Sequence, residues 1–350
     1  MLHPNLQHLV PPFPGSISKL IGTQSPLVRA GGKILPLIAF QGQRPVGRIA
    51  AILNRAHNEY YQDRTGFFGF FDFVQDEKVA EALLKEAEAQ LLSWGCGILR
   101  GPYSPSVNDE CGLLVEGFDS APMILMPFNP DYYQAIYSRL GLNKVRDLYA
   151  YYLTSDLVVP EKIKKVVERV KKRSGVSFRN IDLKNLDAEL RVIQELYNGT
   201  LKRNWGFVPI SFEELKFASE DLKQIIKPDL VMIAEKEGVP VGFSMLLPNM
   251  NEFMLKSKKH SGLLRVLNFV WQLKTRTPSE ARLAVLGVKP EFENAGIPAV
   301  FYWESIQRGR KSFKGGELSW IEESNIPMMR SLELMGAKKY KTYSIFEKPI

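Results

Sequence analysis

The segment Asn108-Asp109-Glu110 sets two carboxylates beside an amide, and these are residue types that accept, hold and pass protons in general acid–base catalysis. Adjacent side chains on extended backbone point to opposite sides. One carboxylate, Glu110, is therefore the expected base, with Asn108 positioning and Asp109 turned away. The same three residues also read as a turn in which Asn and Asp bond local backbone. His57 and Glu59 follow an expected strand end and form a second candidate acid–base pair, or else ordinary surface positions. Ser104 and Ser106 have no convincing His partner, which sets nucleophilic serine chemistry aside. Cys96 and Cys111 are too few for a disulfide framework and lack the companions of a metal cluster, so no metal is expected. Trp205 and Trp320 read as core or cleft wall.

The elements that must position these residues come from a chain that repeats itself. Pro45-Val46-Gly47 and Asn54 return 195 positions later as Pro240-Val241-Gly242 and Asn249, and Leu140-Gly141 with Lys144 returns as Met335-Gly336 with Lys339. Matched spacing at distant places is the mark of a duplicated unit. In the first copy, 34–40 and 46–53 read as a hairpin, 66–73 as a strand, 77–94 as a helix capped by Asp76, 98–100 as a strand, 131–140 as a helix and 148–153 as a strand. The second copy reads in the same order, ending in a helix over 326–335 and a strand over 343–346. Residues 1 to about 35, rich in Pro and Gly, read as irregular lead-in. The pattern is α/β (α+β), with a mixed, mostly antiparallel sheet flanked by helices in each of two domains. The expected division is 1–158, a basic linker helix over 159–174, and 175–350. The repeat spacing widens internally, leaving about twenty-five extra residues before the central strand of the second copy (250–281) and a long loop in the first (101–129). Loops of that size are usually functional or disordered.

A hydrophobic share of 45% with 24% charged residues is that of a globular chain rather than a disordered one. No apolar run is long enough to cross a bilayer, the first residues carry no secretory pattern, and a reducing cytoplasm is the expected compartment. The net charge of +8 favours anionic partners. There is no basic stripe interleaved with aromatics, so nucleic acid is not favoured. Between positions 263 and 273 only Arg265, Asn268 and Gln272 are polar, and Lys256, Lys258, Lys259, Lys274 and Arg276 flank that stretch. Such a helix suits peripheral contact with an anionic membrane or the roof of an acyl-chain groove; it suits packing between domains equally well.

A strand ending in Leu286-Gly287-Val288-Lys289-Pro290, then Glu293-Asn294-Ala295-Gly296-Ile297, then a helix, resembles the acyl-CoA loop of the GNAT N-acyltransferase superfamily. Asn325 through Leu334-Met335-Gly336-Ala337 resembles its closing helix. The resemblance implies that Leu286, Gly287 and Val288 offer backbone to pantetheine. Asn294, Ala295, Gly296 and Ile297 would hold the pyrophosphate at a helix start, where N–H groups are free, and Asn325 would serve the same site. Glu293 stands where the family has Gln or Arg, and Leu332 where it often has the Tyr that protonates the leaving thiolate. In the first copy Tyr137 matches that Tyr, but Asp76-Glu77-Lys78 replaces the phosphate loop, so CoA is expected in the second copy alone. Glu322 and Glu323 fall where many GNAT active sites lie. Over nearly its whole length the chain is also similar to a bacterial family of tandem GNAT proteins. The segments that carry this include Thr65-Gly66-Phe67-Phe68-Gly69-Phe70-Phe71, Asn108-Asp109-Glu110-Cys111-Gly112-Leu113-Leu114, Asn204-Trp205-Gly206-Phe207-Val208-Pro209 and Glu317-Leu318-Ser319-Trp320-Ile321. That family includes the bacterial ceramide synthases, which join a fatty acyl group to a long-chain amine. The resemblance implies acetyl-CoA or a longer acyl-CoA as co-substrate and a primary amine acceptor, with a lipidic, sphingoid-like amine favoured. The oligomeric state stays open. Two other readings stand beside this one: an aminoacyl-tRNA-dependent transferase of the peptidoglycan-bridge type, and a non-catalytic acyl-CoA or lipid binder.

Overall fold

Alternating apolar residues and a turn at Gly42, which takes a φ of 61° that favours glycine, fold the first hairpin. The computed structural model describes residues 2, 3, 5–293 and 295–350. Its elements begin with α1 (Ser16–Ile21), α2 (Pro26–Arg29), β1 (Lys33–Gln41), β2 (Arg44–Leu53), α3 (Arg55–Tyr61), β3 (Thr65–Phe73) and α4 (Glu77–Ser93). β4 (Ile98–Gly101), β5 (Tyr103–Ser104), β6 (Glu110–Cys111), β7 (Leu113–Glu116), α5 (Tyr133–Arg139) and β8 (Asn143–Thr154) complete the first repeat. The second runs α6 (Glu161–Ser174), β9 (Val176–Asn180), α7 (Leu186–Thr200), α8 (Phe212–Leu222), β10 (Val231–Lys236), β11 (Val239–Pro248), α9 (Asn251–Lys256) and α10 (Gly262–Thr275). It ends with β12 (Glu280–Val288), α11 (Pro290–Glu293), α12 (Ile297–Gly309), β13 (Gly315–Glu322), α13 (Ile326–Leu334) and β14 (Lys338–Pro349).

The duplication is visible residue by residue. β11 is β2 shifted by 195 positions, and β14 is β8 shifted by the same amount. The register break at Ala39/Phe40 in the first hairpin recurs at Ala234/Glu235 in the second. β12 is β3 shifted by 215, so the insertion ahead of the second central strand is 20 residues, fewer than the sequence spacing suggests. α3, capped by the Asn54 side chain on His57 N–H, lies where the sequence reading had only a strand end. The lead-in is likewise not wholly irregular, since it contains α1 and α2.

The chain divides into two compact units, and the dividing points are not those of the sequence reading. One takes the chain up to Leu148 with Met254–Val270 and Lys341–Ile350; the other takes Tyr149–Phe253 and Trp271–Tyr340. The last strand of each repeat is thus shared out: Tyr149–Thr154 of β8 counts with the second unit, and the greater part of β14 with the first. There β14 pairs antiparallel with β4 from Phe346↔Gly101 to Pro349↔Ile98. α6, expected as a linker, is an element of the second unit; Lys171 pairs with Glu304 of α12.

In the first unit the sheet runs β1-β2-β3-β4-β14, and only β3–β4 among the pairs up to β14 is parallel. α4 lays Val79, Leu83, Ala87 and Leu91 on Val46, Ile49, Phe68 and Phe73. Gly47 permits this approach, because a Cβ there would sit 2.7 Å from a Leu83 methyl. In the second unit the sheet runs β13-β12-β11-β10-β9, again with one parallel pair, β12–β13. α12 covers one part of the core with Ile297 and Phe301 on Met232, Val241 and Val288, and α7 another with Ile193 and Leu196 on Ile233 and Phe243. Burial of each such side chain contributes about 1.5–3 kcal/mol.

Candidate functional site

β12 and β13 begin as a parallel pair, Glu280↔Gly315 to Leu283↔Leu318, and the register ends there although both strands continue. The reason lies on the other edge of β12. Opposite Met245 and Leu246 of β11 stand Val285 and Leu283, so Ala284 is an extra residue. Such a bulge bends the strand and raises its twist, and it turns Ala284–Val288 away from β13. Among the described residues Ala284, Val285 and Leu286 are half-buried and have no β13 partner in the register, whereas Gly287 and Val288 are buried, and a Cβ on Gly287 would sit 2.1 Å from Thr200 Oγ1. The strand then leads through α11 to Gly296, φ 81°, and into α12, whose N-cap residue is this glycine and so has no side chain to cap the helix. With Pro298 in the first turn, Ile297 and Ala299 carry N–H groups without an in-helix acceptor, a setting that favours an anion. Leu286, Gly287, Val288, Ala295, Gly296 and Ile297 are therefore gathered by one strand–loop–helix passage. Asn294 lies outside the described residues. Glu293, the residue at odds with an anion site, pairs with Arg203 at 3.3 Å on the surface. Asn325 is engaged as the cap of α13, accepting from Met328 N–H at 3.3 Å.

The first unit has the same parting of strands, filled by its own chain. β3 and β4 are parallel from Thr65↔Ile98 to Phe67↔Arg100, and a register break beyond Ala50↔Gly69 matches the bulge of β12. A Cβ on Gly69 would sit 1.5 Å from the Tyr103 carbonyl oxygen, so β5 lies directly against β3. Phe70 N–H donates to Ser104 Oγ at 3.0 Å, and the Phe67 and Tyr103 rings stack at 5.0 Å. Where the second unit has an uncapped helix start, α4 is capped by the Asp76 carboxylate, which accepts from Lys78 N–H at 3.0 Å. An anion there would meet a negative charge already in place.

The proposed acid–base residues have unequal surroundings. Glu110, on β6, is exposed as a residue, yet protein packed around its carboxyl desolvates it and, with the nearby Asp109 charge, raises its pKa to about 7. That is the range of a working base. Asp109 accepts from Ser106 Oγ at 2.6 Å, and Asn108 N–H donates to the same hydroxyl at 3.1 Å, so these two form the local turn that was the competing reading. His57 is buried, not a surface residue; its ring meets Phe67 edge-on at 4.8 Å, and desolvation lowers its pKa. Glu59 lines a hollow of about 380 Å³ with Arg55, Asn58, Gln62 and Asp63. Tyr137 lies in the core of the first unit among Phe68, Phe71 and Phe346; among the described residues its hydroxyl has no hydrogen-bond partner, and burial pushes its pKa up, which does not suit a proton donor to substrate. Glu322 is buried at the end of β13, past the parting, and accepts from Ser324 Oγ.

Sequence reasoning missed a buried charge pair where β12 and β13 separate. Arg282 and Glu317, 5% and 0% exposed, approach to 3.6 Å. Arg282 Nε donates to Ser319 Oγ at 2.8 Å and Nη2 to the Ser319 carbonyl at 3.1 Å; Glu317 accepts from the Ser319 and Tyr340 hydroxyls. With both oxygens engaged, Glu317 holds the last paired residues of the strands rather than a reacting proton. The available signal was a charge in each of two apolar strands, Ala281-Arg282-Leu283 and Gly316-Glu317-Leu318.

No family model matches the chain. Among curated proteins it is similar to Protein YghO of Escherichia coli (strain K12), 34% identical over 319 residues that cover 89% of this chain and 81% of the relative. It is also similar to the Bacterial ceramide synthase of Caulobacter vibrioides, 33% identical over 322 residues that cover 89% and 83%. Solved structures share the fold: a tandem GNAT protein from the clavulanic acid biosynthesis pathway at TM-score 0.57 and 12% identity, covering 97% of this chain and 89% of that one. A GCN5-related N-acetyltransferase from Sphaerobacter thermophilus follows at TM-score 0.50 and 13% identity, covering 87% and 77%. With relatives matched at this identity over most of both chains, and a repeat whose two copies each part their central strands, the chain belongs to the bacterial tandem-GNAT family that includes the bacterial ceramide synthase.

Proposed function

We propose that the protein is an acyl-CoA-dependent N-acyltransferase that moves an acyl group from a CoA thioester to a primary amine, with a long-chain, sphingoid-like amine as the favoured acceptor. The observation that carries this reading is the end of the β12–β13 register at Leu283↔Leu318 ahead of the glycine start of α12, against a counterpart in the first unit that is filled by its own chain. In this reading Ala284, Val285 and Leu286 offer N–H and C=O groups to the pantetheine amides, and the first turn of α12 receives the pyrophosphate. A carboxylate takes the proton from the acceptor ammonium; Glu322, at the end of β13, is the candidate in the unit that has the parting, and Glu110, with its raised pKa, is the candidate read from the sequence. The freed amine forms the C–N bond, the C–S bond breaks, and CoA leaves as the thiol once protonated. The name of the Caulobacter relative supports the lipidic acceptor. A lipid acceptor would bring the enzyme to the inner face of the membrane.

Binding of acetyl-CoA against palmitoyl-CoA by calorimetry, followed by amine-dependent thiol release, tests the reading. Chain-length-dependent binding with release only when a long-chain amine is present is the expected result; absence of release with any amine would leave a binder and overturn it. Gly296 is a poor position for a blocking substitution, because a Cβ there would come within 2.9 Å of Val170. Exposed Ala295 is better: Ala295→Asp adds a carboxylate at the helix start and is expected to weaken acyl-CoA binding by about tenfold or more without lowering Tm. Unchanged affinity would remove this loop from the site.

A further inference from the structure

α10 is inside out for a helix in water. Apart from Lys274 and Thr275 at its C-terminal end, its polar residues face the protein: Arg265 donates to the carbonyls of Pro11 and Pro12 at 2.8 and 3.0 Å, Asn268 accepts from Ser257 Oγ at 2.9 Å, and Gln272 is buried. The lead-in covers this polar side, with Lys258 Nζ on the Leu6 carbonyl at 2.7 Å and the Phe13 and Phe269 rings 5.3 Å apart. What remains outward is apolar: Leu263, Leu264 and Leu267 are 72%, 66% and 55% exposed, and Val270 and Trp271 are exposed beside them. A contiguous apolar face of this kind marks an interaction surface.

The charges around it say what kind. From residue 253 to residue 279 the chain has no Asp or Glu and six basic residues, Lys256, Lys258, Lys259, Arg265, Lys274 and Arg276. Lys256, Lys259, Lys274 and Arg276 are exposed at the two ends of the apolar face. Glu252, the nearest carboxylate before the stretch, is turned onto the Ser279 and Glu280 N–H groups at 3.0 and 2.9 Å. An apolar helix face with cations at both ends, on a stretch of chain without carboxylates, complements an anionic lipid surface, where leucines enter the headgroup boundary and lysines meet acidic headgroups. A protein partner of ordinary charge would leave those cations unanswered.

We infer that α10 docks the protein on anionic bilayers, seating Leu263, Leu264, Leu267, Val270 and Trp271 in the interface. The surface is argued without reference to acyl transfer; combined with the proposed function it would meet a long-chain amine where such amines reside. Sedimentation of the full-length protein with sucrose-loaded vesicles of phosphatidylcholine, alone or with phosphatidylglycerol, tests it. Binding to the phosphatidylglycerol vesicles that weakens with salt is expected, with little on phosphatidylcholine alone. Leu263→Glu/Leu264→Glu/Leu267→Glu should lower the partition by about tenfold or more, and Lys274→Glu/Arg276→Glu should flatten its salt dependence. The docking proposal is overturned if the unaltered protein stays in the supernatant, if the triple variant sediments as before, or if light scattering finds a dimer that the triple variant dissolves, which would make the face a self-interface. Since no turnover is measured, any of these results leaves the acyl-transfer reading standing.

Discussion

Glu110 and His57 carry opposite shifts for related reasons, and each has a pH signature. The Glu110 carboxyl is held protonated in the folded chain to about pH 7, against an ordinary 4.5. Between those values the folded state binds the extra proton, so this group's contribution to stability falls as pH rises. Glu110→Gln should flatten that fall in urea titrations. If Glu110 is the base, kcat/KM of the unaltered enzyme climbs up to about pH 7 and the Gln variant loses about 10²–10⁴-fold; a Gln variant with the original profile would shift the role to Glu322. His57 runs the other way. Desolvation lowers its pKa below 6.5, so the unfolded state takes up the proton first and stability drops as pH falls below 6.5 toward the folded value. His57→Gln should remove that part of the acid sensitivity, as read by Tm between pH 7 and pH 5. The Arg282–Glu317 pair gives the largest single-residue effect. Arg282→Met strands a buried carboxylate and is expected to cost about 3–5 kcal/mol in urea unfolding, whereas Arg282→Met/Glu317→Leu should cost less than that single change. A double loss equal to the sum of the losses of Arg282→Met and Glu317→Leu alone would mean that the two side chains do not act as a pair.

At the scale of elements, the strands and long helices were legible because their periods are long enough to count. α4 spans Glu77–Ser93 with the expected buried face, and Asp76 caps it as its residue type suggests. Asp76→Ala should cost about 1 kcal/mol of stability, measurable as a shift in urea midpoint. α3 was not legible, since seven residues with one buried side chain carry too little periodicity; its Asn54 cap was the available signal, and Asn249 stands at the same place before α9. The parting of β12 from β13 was legible only through resemblance, because a bulge depends on which residues face each other across strands. The filling of the equivalent place in the first unit was not legible at all. Gly69→Ala tests it: the added methyl would drive β5 from β3, at a cost of about 1–3 kcal/mol. A variant as stable as the parent would show that β5 yields readily.

For the whole molecule, two copies of one fold, of which the first has its strand parting filled by β5, predict one acyl-CoA per chain under the proposed function. Calorimetric titration should give a stoichiometry near one, and a value near two would mean that the Tyr103–Ser104 segment moves out of the first unit's slot. The duplication, the α/β class and the basic, carboxylate-free stretch around α10 were determined by the sequence alone, because each rests on residue identity and spacing along one chain; the expectation of CoA in the second repeat came from resemblance to a family. The tertiary structure decided three other matters: which strands each compact unit contains, which of the proposed residues lie in a core, and which side of α10 faces out. An aromatic strand such as β14 has the same pattern whichever sheet it joins. Tyr137 and His57 have the chemistry of catalysts until packing removes water from them. The apolar face of α10 would read as core in any helix; only the hydrogen bonds of Arg265 and Asn268 to residues far away or adjacent in the fold turn that face outward. Pairing, burial and orientation are set by contacts between distant residues, and a one-dimensional pattern does not contain them.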